Sequence, residues 1–421
     1  MPSATNSHKT KDDVESMTAM FTSRSYPQHI KYMGSKARIA GFVVDGINRV
    51  HKSGPVCDLF AGACTLSGAL GNQVDIVSND IQHYSEVIAQ SYLHRISRGA
   101  LLLSADSICN EARDHVDARM KAATKILPYD SLRTLDEFNE IETIQRSLVN
   151  DTFDDEYHLF FKNYSGTWWS AEQCAWIDAL RCVADRLLNV GAINSGDHAL
   201  FLTCVMHAMA YTSQGTGHYA QYRDAKTEYS MSDIKIYRSK SVEDYFKRKF
   251  ESLKKWNYEN VPTGFSHKLT TLDFTDCLGQ LEGGTVYADP PYAFVHYSRF
   301  YHAIETFVLY DYPKLQVKGG AVVKGRYRED RHQSPFCIRS EVAGAFHKMF
   351  EGVARAEANL VLSYSNTALL GLDDMIDIAN SELSKKYRVC TLTTDHKHMT
   401  MGRLADRNRD VEETLVLAEI I

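Results

Sequence analysis

Between Val56 and Asp80 the chain reads as strand, tight turn, helix and strand. The apolar run VCDLF (56–60) meets the small-residue turn AGACT (61–65), a helix-like stretch runs to Asn72, and a second apolar run, VDIVS, follows at 74–78. Two strands joined through a helix in so short a span must lie parallel, and parallel strands are covered by helices on both faces. This stretch therefore commits the chain to the α/β class and to the opening of a doubly wound sheet. An amphipathic helix from about Gln82 to Ser97 continues the pattern.

The strand signal then lapses until residue 268. The intervening chain is helical by its apolar spacing. Its clearest helix starts at Ser170, where SAEQ forms a capping box, repeats apolar positions at Trp176, Leu180, Val183 and Leu187, and ends at Gly191. Strand-like runs return at 268–274 (KLTTLDF), 285–288 (TVYA), 359–364 (NLVLSY), 388–393 (RVCTLT) and 414–420 (TLVLAEI). The expected architecture is a Rossmann-like sheet built from 29–98 and 266–421, a mostly helical insertion over 99–265, and a polar, flexible extension over 1–28.

Composition narrows the class. With 421 residues, 44% hydrophobic and 24% charged, the chain is neither disordered nor fibrous. Its longest apolar segment, ALFLTCVMHAMAY (199–211), is shorter than a membrane span and reads as a buried helix. A formal net charge of −6 argues against a general nucleic-acid coat while leaving room for a local basic groove. The nine cysteines include no CxxC pair, so neither a disulfide framework nor a zinc site is indicated. Reduced thiols and a polar beginning without a signal-like apolar run suit a cytoplasmic protein.

The sharpest local feature is Asp289-Pro290-Pro291-Tyr292, placed directly after TVYA. Read alone, it is either a Pro-rich turn leaving a strand or a site at the carboxyl end of a strand, where open α/β sheets bind ligands. Its company decides the reading. KYMGSK (31–36), DLFAGACTLSGAL (58–70), a long helical insertion and YADPPY (287–292) follow one another in that order. The chain thereby resembles the Dam-like, alpha-order DNA adenine methyltransferases, which use S-adenosylmethionine.

That resemblance implies site roles. Lys36 would supply a positive charge to the cofactor carboxylate, with Tyr32 packing nearby; alternatively, Ser35 and Lys36 simply start the helix SKARIAGFVVDGI. Asp58, Phe60, Ala61 and Gly62 match the glycine-rich motif, whose small residues let the backbone approach the ligand. Cys64 stands where the family often has glycine. Asp80, at the tip of the second strand, would accept from the ribose hydroxyls, or else is a helix cap. Asp273 would accept from the cofactor's adenine and Phe274 would pack on its ring, with Asp106 in LLLSADS as the rival acceptor.

For the reaction, the exocyclic amine of adenine is a weak nucleophile because its lone pair is delocalised. Asp289 and the Pro290 carbonyl are expected to take its two hydrogens, with Pro290 and Pro291 fixing the direction of that carbonyl in advance. Tyr292 would stack on a base turned out of the duplex. No metal is required. The same acceptor pair would serve the exocyclic amine of cytosine, and a degenerate DNA-binding module on this fold is a further reading. Tyr301 and His302 resemble a Tyr-His pair found downstream of this motif in the family and would brace the flipped base or contact the backbone, unless they are ordinary positions of an amphipathic helix.

Double-stranded DNA is the implied partner, and the resemblance leaves open a cognate restriction or defence system. Three stretches are locally basic: 314–331 has six basic residues against two acidic, 385–409 seven against two, and 223–255 ten against six. Such charge gives phosphate affinity rather than readout, and each stretch is alternatively a solvated face. Candidate contacts are Lys324, Arg326, Lys397 and Arg403, with the last two in the loop DHKHMTMGR. Gln214, His218, Gln221 and Arg223 in SQGTGHYAQYR (213–223) are candidate base readers, unless that loop lines the pocket mouth. An acidic segment, 130–156, holds nine acidic residues against two basic and is expected to turn away from DNA.

Overall fold

A computed structural model describes residues 20–215, 217–291, 297–365, 368–383, 386–399 and 408–421, with the side chains of 394–399 and 408–412 outside that description. Strand β1 (Val56–Asp58) pairs in parallel with β2 (Ile76–Asn79) on one side and β4 (Thr285–Ala288) on the other; β3 (Lys268–Thr270) extends the sheet beyond β2. A small antiparallel hairpin, β5 (Val317–Lys318) with β6 (Ala321–Val322), stands apart. β7 (Asn359–Ser365) lies parallel to β4, and the antiparallel β8 (Tyr387–Met399) and β9 (Asn408–Ile420) close the far edge. The order is β3-β2-β1-β4-β7-β9-β8. The fold is a mixed α/β, mostly parallel, Rossmann-like sheet.

Chain order reverses between β1 and β4, the switch point at which such sheets bind ligands. Asp58 is in register with Tyr287 there, so the turn after β1 and the Asp289 segment after β4 emerge side by side. Every residue of β4 and β7 is buried, as a strand covered on both faces requires. α1 (Ala40–Val50) reaches one face at Gly46, where a Cβ would come within 2.8 Å of Leu415 Cδ1. α2 (Thr65–Leu70) and α3 (His83–Leu93) follow β1 and β2.

Helices α4 (Arg98–Leu102), α5 (Ala105–Ala122), α6 (Leu135–Ser147), α7 (Leu159–Tyr164), α8 (Ala171–Asn189), α9 (Ser195–Thr212), α10 (Glu228–Arg238) and α11 (Val242–Asn260) occupy the stretch between β2 and β3. α8 starts on the Ser170–Gln173 capping box, and Gly191 just beyond it has φ +70°. α9 is the apolar segment, buried on nearly all sides. The hydrophobic core runs without a break from α1 and α3 into α8, α9 and α11, so these helices share one interior with the sheet. α12 (Phe274–Gly279), α13 (Tyr297–Leu309), α14 (Val342–Arg355) and α15 (Leu372–Glu382) complete the layers. No helix among the described residues is long and apolar enough to cross a membrane.

Two expectations need correction. Residues 20–28 are not a loose extension: Phe21 is buried and exchanges backbone bonds with the Asn48 side chain, while Arg24 donates to the carbonyls of Gly68 and Asn260. Residues 1–19 lie outside the described residues. In the expected loop DHKHMTMGR, residues 395–399 are strand, since β8 and β9 stay paired out to Met399 and Asn408. The polar composition of that stretch hid a strand whose backbone is satisfied by its neighbour.

Candidate active site

The cleft over the switch point encloses about 1160 Å³ of free space, open solvent at its entrance included. Tyr32, Lys36, Asp58, Phe60, Ala61, Gly62, Asp80, Asp273, Phe274, Asp289, Pro290 and Pro291 all line it. Residues from three distant parts of the chain are thus brought together at one end of the sheet. Tyr292 lies outside the described residues.

The first turn explains its own sequence. Gly62 has φ +50°, and a Cβ there would lie 2.8 Å from the Tyr32 hydroxyl, so both conformation and space demand glycine. Cys64 also adopts the left-handed conformation, at φ 59° and ψ 46°, which is unusual for a side chain with a Cβ. Its buried thiol donates to the Ser85 carbonyl at 3.1 Å, anchoring the turn to α3. Asn79 ties the strand ends together: its amide donates to the Leu59 and Leu272 carbonyls and its oxygen accepts from Thr270 and Leu272.

Asp80 accepts from the Gly62 amide through Oδ2 and from the Gln82 amide through Oδ1, both at 2.9 Å. Burial pushes its pKa up to about 6 although these bonds favour the charged form. Asp273 caps α12, accepting from the Thr275 amide at 2.9 Å and the Thr275 hydroxyl at 2.6 Å. Phe60, Phe274 and Phe336 form an aromatic cluster with centroids 5.2–5.9 Å apart. The rival acceptor Asp106 is exposed on α5 and pairs with Lys247, outside the residues that line the cleft.

Lys36 is buried between two carboxylates, with Nζ 2.7 Å from Glu413 Oε1 and 3.2 Å from Asp289 Oδ1. Glu413, fully buried on β9, also accepts from the Ser363 hydroxyl at 2.7 Å. Sequence reading missed it, though a signal was present: Glu413 shares the inward parity of Leu415 and Leu417. Asp58 is buried too, and its Oδ1 has no hydrogen-bond partner among the described residues. Desolvation, with Asp289 and Asp80 as charged neighbours, holds its pKa well above the ordinary range.

Tyr301 and His302 brace the protein itself. Tyr301 stacks on Tyr32 at 4.5 Å and its hydroxyl accepts from the Met33 amide at 2.6 Å, fixing the KYMGSK segment over the cleft. His302 donates from Nε2 to the Tyr219 carbonyl at 2.9 Å; burial lowers its pKa to about 3, so it is neutral.

The DNA-contact candidates divide. Gln221 is exposed; Arg223 pairs with Asp233 and Lys324 with Asp224 on the surface. His218 packs its ring 4.7 Å from Phe300, beside the start of α13. Two candidates are corrected. Gln214 is fully buried, its amide donating to the Thr167 and Arg223 carbonyls, and Arg326 is buried with its guanidinium on the Arg146 carbonyl. Both polar side chains are spent on internal carbonyls rather than presented to solvent. Arg403 and the side chain of Lys397 lie outside the described residues.

A mostly parallel sheet with this cleft at its switch point defines a Rossmann-like α/β fold with a ligand-binding cleft at its strand ends. Residues 32–164 match the family model of the D12 class N6 adenine-specific DNA methyltransferases. Similar proteins carry the names of a modification methylase and of type II methyltransferases. The modification methylase LlaI of Lactococcus lactis subsp. lactis is 22% identical over 83% of this chain and 48% of its own length. The type II methyltransferase M.FokI of Planomicrobium okeanokoites is 26% identical over 58% and 35%. M.CviAII of Paramecium bursaria Chlorella virus 1 is 22% identical over 93% and 98%. The chain spans about half or less of the first two relatives.

Proposed function

We propose that this protein methylates the exocyclic N6 of adenine in double-stranded DNA, with S-adenosylmethionine as donor. The observation that carries the reading is the placement of Asp289, Pro290 and Pro291 in the same cleft as the first-turn and strand-tip residues. The residues present fit the cofactor. Four aspartates and one lysine line the cleft, and the buried Asp58 Oδ1 awaits a donor, which suits a ligand bearing an ammonium and a sulfonium. Asp58 would hold the amine, Asp80 the ribose, and Asp273 with the Phe60–Phe274–Phe336 cluster the adenine. When bound, the cofactor supplies an electrophilic methyl group on a good leaving group.

The chain's own groups do the rest. The Asp289 carboxylate and the Pro290 carbonyl accept the two amine hydrogens, drawing electron density onto nitrogen without full deprotonation. Because both groups are fixed before substrate arrives, little ordering is left for the transition state. Lys36, held by Glu413, directs the Asp289 carboxylate. The base must leave the helix stack to reach them.

Labelled cofactor and plasmid DNA test this. The wild-type protein is expected to transfer the methyl group, with N6-methyladenine recovered on digestion to nucleosides. Asp289→Ala should abolish transfer while retaining cofactor binding. Full transfer by Asp289→Ala would overturn the mechanism, and recovery of N4-methylcytosine would overturn the choice of base. Co-purification or genomic linkage with a restriction activity would place the enzyme in a modification system, in keeping with relatives named as a modification methylase and a type II methyltransferase.

A further inference from the structure

Arg299 and Arg331 converge on one tyrosine. Their guanidinium carbons lie 5.0 and 4.7 Å from the centroid of the Tyr327 ring. Tyr327 is buried; its hydroxyl accepts from Arg299 Nη2 at 3.1 Å and donates to the Ala220 carbonyl. Arg331 donates to the Arg328 carbonyl at 3.0 Å and to Gln316 Oε1 at 3.3 Å. Neither arginine has a carboxylate partner among the described residues, whereas their neighbour Arg328 is matched by both oxygens of Asp311, at 2.7 and 2.6 Å.

Two donors in this pair are unmet. Arg299 Nε and Arg331 Nη1 are both shielded from the surface and bond to nothing among the described residues. Burial lowers the Arg331 pKa, and the adjacent Arg299 charge lowers it further. Like charges held together with unused, desolvated donors are costly, and such an arrangement is relieved by an anion bound between them.

Position says which anion. Arg299 follows Tyr297 and Ser298, and Arg331 precedes His332, all of which line the cleft. Ala220, held by Tyr327, belongs to the 213–223 segment. The pair therefore stands where the start of α13, the chain leading to His332 and the insertion meet. Lys324 and Arg326 in the same basic stretch are already used, the first by Asp224 and the second by a buried carbonyl.

We infer that Arg299 and Arg331 together bind one phosphate of the DNA backbone next to the nucleotide whose base enters the cleft. The inference rests on the DNA methyltransferase reading above. A phosphodiester presents two anionic oxygens to the accessible edges of two guanidiniums and cancels their repulsion. The contact reads no sequence; it holds the backbone in place while the base is outside the stack.

Binding of a duplex carrying the enzyme's mapped methylation site, followed by fluorescence anisotropy across a salt series, tests the site. In Arg299→Gln, Arg331→Gln and the double variant, affinity is expected to fall about tenfold. The slope of log K against log salt should become shallower by about 0.9, the release tied to one phosphate. Cofactor binding should be unchanged. A double variant with wild-type affinity and slope overturns the inference. A second measurement needs no variant: the wild-type enzyme is titrated with duplexes carrying one neutral methylphosphonate linkage at a time around the target base. One position should reproduce the tenfold loss, and a scan without such a position overturns the site. A wild-type enzyme that transfers no methyl group to DNA at all is instead a failure of the parent reading.

Discussion

Lys36 Nζ lies 3.2 Å from Asp289 Oδ1, although 253 residues of sequence separate them, and the same nitrogen lies 2.7 Å from Glu413 on the last strand. One buried ammonium therefore joins the N-terminal motif, the end of β4 and the closing hairpin at the reactive end of the sheet. The sequence-based expectation gave Lys36 to the cofactor carboxylate. The structure gives it two protein carboxylates, so it acts on Asp289 as well as on any ligand.

Glu413 should matter to turnover without touching substrate. In Glu413→Gln the carboxylate no longer shares Lys36, whose attraction to Asp289 rises and makes Asp289 a poorer acceptor for the amine hydrogens. A fall of about tenfold in kcat, equal to about 1.4 kcal/mol, is expected with KM for cofactor little changed. Lys36→Ala removes the ammonium shared by buried Glu413 and half-buried Asp289 and should cost about 3–5 kcal/mol of stability. Steady-state kinetics and urea denaturation check the pair; unchanged kcat in Glu413→Gln would remove Glu413 from a positioning role.

Gly62→Ala probes the first turn. The substitution meets both a positive φ and the Tyr32 ring at 2.8 Å, so either the turn or KYMGSK must move. A stability loss of about 1–3 kcal/mol and a cofactor affinity at least tenfold weaker are expected, read by thermal melting and calorimetric titration. Native affinity in this variant would show that the turn does not approach the ligand.

How much of this was legible in the sequence follows from the kind of signal each part carries. The β1–β2 crossover and the caps of α8 rest on local periodicity and cap chemistry, which survive tertiary context. The placement of Asp289 was legible because a buried four-residue strand precedes it. Gln214 and Arg326 were misread because amides and guanidiniums look alike in sequence whether they face solvent or satisfy an interior carbonyl. Lys36–Glu413 depends on long-range register, as does the packing of residues 20–28 on Asn48 and Gly68. The Arg299–Tyr327–Arg331 group was likewise invisible, since its members fall on different sides of the β5–β6 hairpin.

The acidic segment 130–156 also changes meaning. Glu142 points inward and binds buried Arg238 through both oxygens at 2.9 Å, with Arg146 and Tyr129 on the same carboxylate. Glu142→Ala should destabilise the helical region by about 3–5 kcal/mol, because Arg238 is left buried without its counter-charge. Glu140→Ala, on the exposed side of α6, should change stability by less than about 0.5 kcal/mol. Denaturant midpoints of the two variants decide; equal midpoints would make the buried pair energetically idle.

Asp80 links pH to cofactor binding with opposite signs for fold and ligand. Its folded pKa, raised by burial to about 6 from 3.8, means that the native state holds the proton more tightly than the unfolded chain. Its contribution to stability is therefore complete below about pH 4 and is lost as pH rises through about 6. Ribose hydroxyls donate to the carboxylate, so they favour the charged form, and affinity should weaken as pH falls below about 6. Asp80→Asn removes the titration: its affinity should be about tenfold weaker at pH 7.5 and show less change on going to pH 5.5 than that of the wild type. Calorimetric titration at the two pH values measures both, and a wild-type pH response identical to that of Asp80→Asn would exclude Asp80 as the ribose acceptor.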